Sequence, residues 1–349
     1  ENPHNISMPA SDSAESTGCP AWIDRYASWH SENRHAQEAQ FLVYTCRPSM
    51  PGTHSFCLGL GDRVRMIAFL LRVAAAYQRV LLVDWASPVP IERYLSPARF
   101  DWRLTPAEVE AMLPLKVIRM HAGMNMPLPA TEKYVRVVGN SFWNSRLAVF
   151  EPENSRVNTN FTAPSLVCLW QALFVPSETI DAKIKQQQLL TIGSDVHTYN
   201  SIHIRMGDGA MGSAFDKNTV PVSDVRMSRA EAEKLLEYAL RRSTTPLFLA
   251  TDNAALKRDV QQHRWSKQLP LRTQRRVVTQ GCADCMSNPV FRHNFSLDSL
   301  DSSWIDIGML AGANCTFEKT RGRISQFTMI VRAWSHGKQC VIELPRPYG

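Results

Sequence analysis

Residues 228–253 read SRAEAEKLLEYALRRSTTPLFLATDN, and this stretch decides the class of fold. Ser228 stands three residues ahead of Glu231, the pairing in which a hydroxyl and a carboxylate each satisfy an amide at a helix start. Ala232, Leu235, Leu236, Ala239 and Leu240 then recur at helical spacing, so the spacing predicts a helix over 228–242 with one apolar face. Leu247 to Thr251 follows as a short apolar strand, and another helix opens at Asn253. The same alternation continues on both sides. Strands are expected at 200–206, 276–279, around Cys315 and at 339–344, and helices at 303–313 and 325–336, the last with Phe327, Ile330, Val331 and Trp334 on one face and a stop at Gly337. Strands and helices of these lengths in strict alternation imply a parallel sheet with helices on both faces.

Nearer the N-terminus, Phe41 to Cys46 reads as a strand, 62–79 as a helix after a long loop, and 79–85 as a second strand. The helix is apolar nearly all round (Val64, Met66, Ile67, Phe69, Leu70, Leu71, Val73), so it is expected inside a layered domain. From Ala86 to Gly193 the signals weaken. A short helix starts at Thr105, where Thr105 and Glu108 form a capping box around Pro106, proline-punctuated loops follow, and 183–190 reads as a last helix or linker. The expected fold class is α/β: two Rossmann-like doubly wound domains facing across a cleft, at 21–193 and 194–349, behind a polar lead or stem remnant at 1–20.

Length and composition agree with two domains. The chain has 349 residues, 44% hydrophobic and 20% charged, which excludes wholesale disorder and fibrous repeats. No apolar run approaches the roughly 18–20 residues of a bilayer span, and Ile67 to Tyr77 is interrupted by Arg72. The chain as given reads as soluble. It begins at Glu1 rather than Met, so it is read as a trimmed piece, with any membrane attachment carried by a segment absent from it. The net charge of +7 and pI near 9.0 fit nucleic acid, acidic membrane or phosphate ligands. Nucleic acid is not expected, because no basic stripe is interleaved with aromatics, and the densest cluster, Arg272 to Arg276, reads as a solvated loop.

Eight cysteines stand at 19, 46, 57, 168, 282, 285, 315 and 340. Cys282 and Cys285 form the only C-x-x-C, without the second pair or two histidines that structural zinc requires, so no metal is expected. Asn5, Asn160, Asn294 and Asn314 each open an N-x-S/T sequon. Sequons and an even cysteine count point to an oxidising secretory lumen with most cysteines in disulfides, Cys282 to Cys285 as a short staple. The competing reading is a reduced cytosolic protein.

Four places carry candidate chemistry. At Gly59-Leu-Gly-Asp-Arg63 a glycine turn meets a helix start, where free amides suit an anion or a sugar. Val64 stands where a dinucleotide motif needs its third glycine, so Gly59, Gly61 and Arg63 are read as a ligand-facing turn. Asp62 is read there either as a functional carboxylate or as the helix N-cap. At the end of the strand 200–206, side-chain alternation puts Ile202, Ile204 and Met206 on one face and His203 and Arg205 on the other. Arg205 then serves either an internal salt bridge to Asp208 or Asp252, or a ligand phosphate. Asp252 either accepts from guanine or caps the helix at Asn253. Ahead of the last helix, Lys319, Arg321 and Arg323 precede Ser325 and Gln326, an arrangement that suits a diphosphate without metal or an ordinary capped surface loop. Asp306 is open in the same way, as a ligand group or as the fourth residue of a Ser303-x-x-Asp306 box. The chain has no D-x-D, G-x-S-x-G, P-loop or H-E-x-x-H, which removes metal-dependent diphosphate binding of the D-x-D kind and the commonest hydrolase, kinase and protease readings.

With Gly59-Leu-Gly-Asp-Arg63, Val83-Asp-Trp85, His203-Ile-Arg205, Gly207-Asp208, Ala250-Thr-Asp252, Asp306-Ile-Gly-Met-Leu310 and Ser325-Gln-Phe327 in this order, the chain resembles the GT-B superfamily of GDP-fucose-dependent fucosyltransferases, the α1,2, α1,6 and protein O-fucosyltransferases. The matching islands cover about a quarter of the chain. Met206 stands where many members have a second arginine, and the segment before Ser325 is longer than in the α1,6 group. The resemblance implies GDP-fucose as co-substrate, no further cofactor, and a glycan or glycoprotein acceptor. It places Arg205 on the β-phosphate, His203 and Asp252 on the nucleotide, Ser325, Gln326 and Phe327 in the pyrophosphate pocket, and the turn at Gly61 towards fucose and acceptor. It implies inversion through an oxocarbenium-like state, with Asp208 or Asp62 as the base. It also implies a Golgi or secretory-lumen ectodomain of a type II membrane protein. The alternatives are a non-catalytic glycan- or nucleotide-binding protein of the same fold, a transferase for another nucleotide sugar and, more remotely, a dehydrogenase.

Overall fold

The computed structural model describes residues 19–47, 60–112, 115, 117–120, 128–129, 131–139, 166–196, 198–206, 227–280, 297–318, 326–335 and 340–344. Contacts divide the chain into two compact units, one of Glu1–Ile91 with Ser96–Val175, the other of Glu92–Leu95 with Pro176–Gly349. The sequence reading set this division at 193/194.

The first unit holds α1 (Trp22–Asn33), β1 (Phe41–Cys46), α2 (Leu60–Ala76), β2 (Val80–Trp85), α3 (Pro106–Met112), β3 (Val117–Met120), β4 (Tyr134–Gly139) and α4 (Leu166–Leu173). Its sheet runs β2-β1-β4-β3, all parallel, with Phe41 opposite both Val80 and Tyr134. Every residue of β1 and β2 is buried, as a sheet covered on both faces requires. Phe41, Val43, Val80 and Leu82 alternate onto one face and pack with Met112, Trp29 and Leu104. The apolar α2 is interior as expected, burying Val64 through Ala75 apart from Arg65. The open edge at β2 is closed by α1, since Leu81 N donates to the Tyr26 hydroxyl (3.0 Å) and the His30 ring lies 3.0 Å from Leu81 O. A disulfide joins Cys19, just ahead of α1, to Cys168 on α4.

The second unit holds α5 (Glu178–Ile192), β5 (Asn200–Ile204), α6 (Arg229–Arg242), β6 (Leu247–Thr251), α7 (Ala254–Gln261), β7 (Val277–Val278), α8 (Leu297–Ala311), β8 (Cys315–Glu318), α9 (Gln326–Trp334) and β9 (Cys340–Glu343). Its parallel sheet runs β9-β8-β5-β6-β7. The stripe of α6 meets Ile202, Ile204 and Met206 in one core, so the alternation expected for this strand holds. On the opposite face Ser201 Oγ donates to Leu310 O of α8, and α8 in turn packs against α5. That second contact is close because residue 308 is glycine: a Cβ there would lie 2.2 Å from Ile184 Cδ1. Cys315 and Cys340, register partners of β8 and β9, are disulfide-bonded, and Cys46 is disulfide-bonded as well. Cys282 and Cys285 lie outside the described residues.

Several boundaries differ from expectation. α1, β3 and β4 are additional to the sequence reading, which had only loops between α3 and residue 183. α8 starts at Leu297, so Ser303 and Asp306 are mid-helix and form no capping box. Asp62 is in the first turn of α2 rather than at its cap, and Gly61 is helical rather than part of a loop. Among the described residues, no helix is long and apolar enough to cross a membrane.

Candidate ligand site

In the second sheet the chain builds outward from β5 through β6 to β7, then returns to the other side of β5 with β8 and β9. The strand order therefore reverses between β5 and β8, and it is outside the carboxyl ends of strands at such a reversal that open α/β sheets leave a crevice for ligands. The residues at those ends are His203 within the ladder of β5, Arg205 and Met206 after it, Asp252 after β6 and Glu318 closing β8.

Arg205 has left the ladder, and its side chain is 55% exposed. Its Nε lies 3.9 Å from Asp252 Oδ2, the outer limit of an ion pair, while Asp252 Oδ1 accepts from Met206 N at 2.7 Å. Asp252 is thus held by the neighbouring strand end. It does not cap α7, because Asn253 does so, its Oδ1 accepting from Leu256 N at 2.8 Å. Burial, and secondarily the Arg205 charge, pushes the His203 imidazole down to about 4, so the ring is neutral at physiological pH. Expected neighbours His203, Arg205 and Asp252 are therefore brought together as a neutral ring, an outward cation and an anchored carboxylate.

Two carboxylates near these strands are buried: Glu318, which the sequence reading did not single out as a site group, and Asp306, which it left open between a ligand group and a helix cap. Glu318 is 5% exposed; its Oε2 accepts from Arg332 Nε (2.7 Å), whereas Oε1 has no partner among the described residues. Burial raises its pKa against the opposing pull of Arg332. Asp306, on α8, is pushed up to about 6 by burial, with Lys257 and Gln280 opposing, and its Oδ1 also lacks a partner among the described residues. No sequence signal marks Glu318, since only the strand order shows that β8 ends beside β5.

The first-unit residues are placed differently. Arg63 is 4% exposed, its guanidinium 4.8 Å from the Trp85 ring centroid and donating to Ser87 O, so this side chain is turned into the unit and not outward. Gly61 is buried and Asp62 partly exposed. Gly59, Asp208 and Ser325 lie outside the described residues, as do Asn5, Asn160 and Asn294. Gln326 and Phe327 open α9, whose start follows β8. Asn314 is exposed immediately before β8. Among the described residues, no three His, Cys, Asp or Glu side chains cluster as a metal site.

Two parallel-sheet units, the second with polar groups at a strand-order reversal, define a doubly wound α/β protein. No protein-family model matches the chain, and no curated protein matches its sequence. Among solved structures, a point mutant of Arabidopsis thaliana FUT1 in complex with GDP is similar at TM-score 0.53 and 12% identity, covering 94% of this chain and 79% of that one. POFUT1 in complex with GDP-fucose is similar at TM-score 0.50 and 9% identity, covering 88% and 98%. These likenesses show the fold, which is GT-B.

Proposed function

We propose that this protein is an inverting glycosyltransferase that moves fucose from GDP-fucose to a hydroxyl of a glycan or glycoprotein without a metal ion. The observation that carries the reading is Arg205, a more than half exposed guanidinium at the carboxyl end of β5, where the strand order reverses. The likeness to structures solved with GDP and GDP-fucose supports it, as do the disulfides, which fit a secreted or luminal domain. We place the chain in the Golgi or secretory lumen, with the sequons Asn5, Asn160, Asn294 and Asn314 as glycan sites.

In the proposed step, the acceptor oxygen forms a bond to the anomeric carbon of fucose as the bond from that carbon to the β-phosphate oxygen breaks. The electron pair departs with GDP, and its growing charge is met by the Arg205 fork and by the amino end of α9, with Ser325, Gln326 and Phe327. His203, neutral, and Asp252 contact the nucleotide, and the carboxylate favours guanine because it can accept from guanine N–H donors. The acceptor lies on the side of Gly59, Gly61 and Asp62, and its proton passes to Asp208 or Asp62. Arg63, held inward in the first turn of α2, is not assigned a ligand contact.

The test is GDP release from GDP-fucose over an array of glycan and glycoprotein acceptors in EDTA, beside thermal shifts with GDP, UDP and CDP. The expected result is turnover that EDTA leaves unchanged and a shift largest for GDP. GDP binding without release on any acceptor would make the protein a non-catalytic binder, and a larger UDP or CDP shift would change the donor.

A further inference from the structure

At the opposite, amino end of the second sheet, the charge is one-sided. Residues 262–278 carry Arg264, Lys267, Arg272, Arg275 and Arg276 with no Asp or Glu, and 234–247 add Lys234, Arg241 and Arg242 against Glu237 alone. The fold brings these segments together. Leu247 and Val277 are register partners, so the end of α6 and the turn before β7 approach the same sheet edge. The Arg276 guanidinium donates to the carbonyls of Ser243 and Thr245, and the loop at 265–266 is tied in by Trp265 Nε1 to Gln274 O (3.2 Å) and Ser266 N to Gln274 Oε1 (3.1 Å). Asp259 pairs with Arg264, and Glu237 accepts from the Ser266 hydroxyl. Arg241, Arg242, Lys267, Arg272 and Arg275 remain exposed, and no ion pair engages them among the described residues. Arg242 is backed by the Tyr238 ring, 3.7 Å from its centroid.

We propose that this amino-end surface binds a sulfated polysaccharide. Arginine outnumbers lysine among the exposed cations, and its planar fork matches sulfate oxygens in pairs where an ammonium acts as a point charge. This choice of ligand rests on the luminal placement proposed above, which the disulfides fit. Anionic phospholipid faces the cytoplasmic side, so the polyanion met here is a sulfated glycan rather than a membrane. The surface is at the end of the sheet away from Arg205, so occupancy there leaves the strand-reversal site accessible, whatever that site binds.

The experiment measures anisotropy of a labelled heparin oligosaccharide at physiological ionic strength with the whole protein. A variant with Arg241→Gln, Arg242→Gln, Arg272→Gln and Arg275→Gln is set against one of equal net charge with Arg99→Gln, Arg103→Gln, Lys133→Gln and Lys185→Gln, four cations exposed elsewhere. Circular dichroism establishes that both are folded. The first variant is expected to lose about tenfold or more in affinity and the second to stay within about twofold, because the local field and not the net charge does the binding. Unsulfated hyaluronan should bind the parent protein far more weakly than heparin. Equal losses in the two variants, no loss in the first, or phosphatidylserine vesicles binding as tightly as heparin would each overturn the proposal.

Discussion

Both units place cations on or beside their strands, and the two sets behave oppositely. In the first unit the charge is closed inward. Asp84 on β2 accepts from Thr45 Oγ1 (2.8 Å) and Arg47 Nε (2.6 Å), and Arg136 on β4, 2% exposed, donates to Thr45 Oγ1 (3.1 Å) and to Met112 O (3.0 Å). Arg63 is stacked on Trp85. In the second unit Arg205 points outward, with its carboxylate at 3.9 Å. A cation at a strand end is therefore not by itself a ligand group. What separates the two cases is whether neighbouring strands supply a fully desolvated partner, because a buried guanidinium needs one and an exposed one does not.

Removing one member of the charge pair should break the first unit and spare the second. Asp84→Ala removes the buried carboxylate that Arg47 and Arg136 both approach, and the expected loss is about 3–5 kcal/mol in urea unfolding. Arg205→Ala should move stability by less than about 0.5 kcal/mol. Its effect belongs to turnover, which is expected to fall about 10²–10³-fold on the proposed function. A comparable stability loss in both variants would erase the distinction. Retained turnover in a folded Arg205→Ala protein would remove Arg205 from the proposed chemistry and leave the comparison of burial intact.

Arginine-to-lysine changes sharpen the same contrast at smaller amplitude. Arg63→Lys keeps the charge but loses the planar stack on Trp85 and the directed bond to Ser87 O, at an expected cost of about 1–2 kcal/mol. Arg205→Lys should leave the urea midpoint in place and weaken GDP in a thermal-shift titration, since an ammonium cannot bridge two phosphate oxygens. A lysine that substitutes silently at 63 would mean that the charge there is tolerated rather than used.

The second unit was the more legible in sequence, for reasons visible residue by residue. Its strands are short segments alternating with well-marked helices, and its best helix announces its start: Ser228 Oγ accepts from Glu231 N (3.3 Å) while the Glu231 carboxylate accepts from Ser228 N (2.7 Å). In the first unit, Arg119 and Arg136 interrupt β3 and β4, and Arg136 is tolerated only because Thr45 and the end of α3, far away in sequence, accept from it. Ser303-x-x-Asp306 matched a capping box that is not one, since a four-residue pattern does not register that the helix began at Leu297. The period-two alternation of 200–206 was enough to separate His203 and Arg205 from the core. Glu318 needed the strand order, which is a property of the whole unit.

The finest test of the contrast compares two histidines. Burial holds His30 down to about 4, with Leu81 O opposing and the Arg34 charge adding to the depression, and holds His203 down to about 4 with Arg205 adding. Both rings are neutral in the folded state between pH 4 and the unfolded value near 6.5. Within that window the unfolded chain binds protons that the folded chain does not, so each ring drains stability as pH falls and contributes nothing above it. Their environments differ in one respect. The charge next to His30, Arg34, is bonded to Glu108 and to Arg103 O, whereas the charge next to His203 sits on the exposed Arg205. Pyrophosphate should therefore raise the His203 pKa by up to about one unit in an NMR titration of the imidazole protons and leave His30 unmoved. Arg205→Ala should raise His203 in the same sense without any ligand. Were His203 to stay fixed under both treatments, the Arg205 guanidinium would not be the charge felt by that ring, and the outward cation of the second unit would lose its link to the strand that carries it.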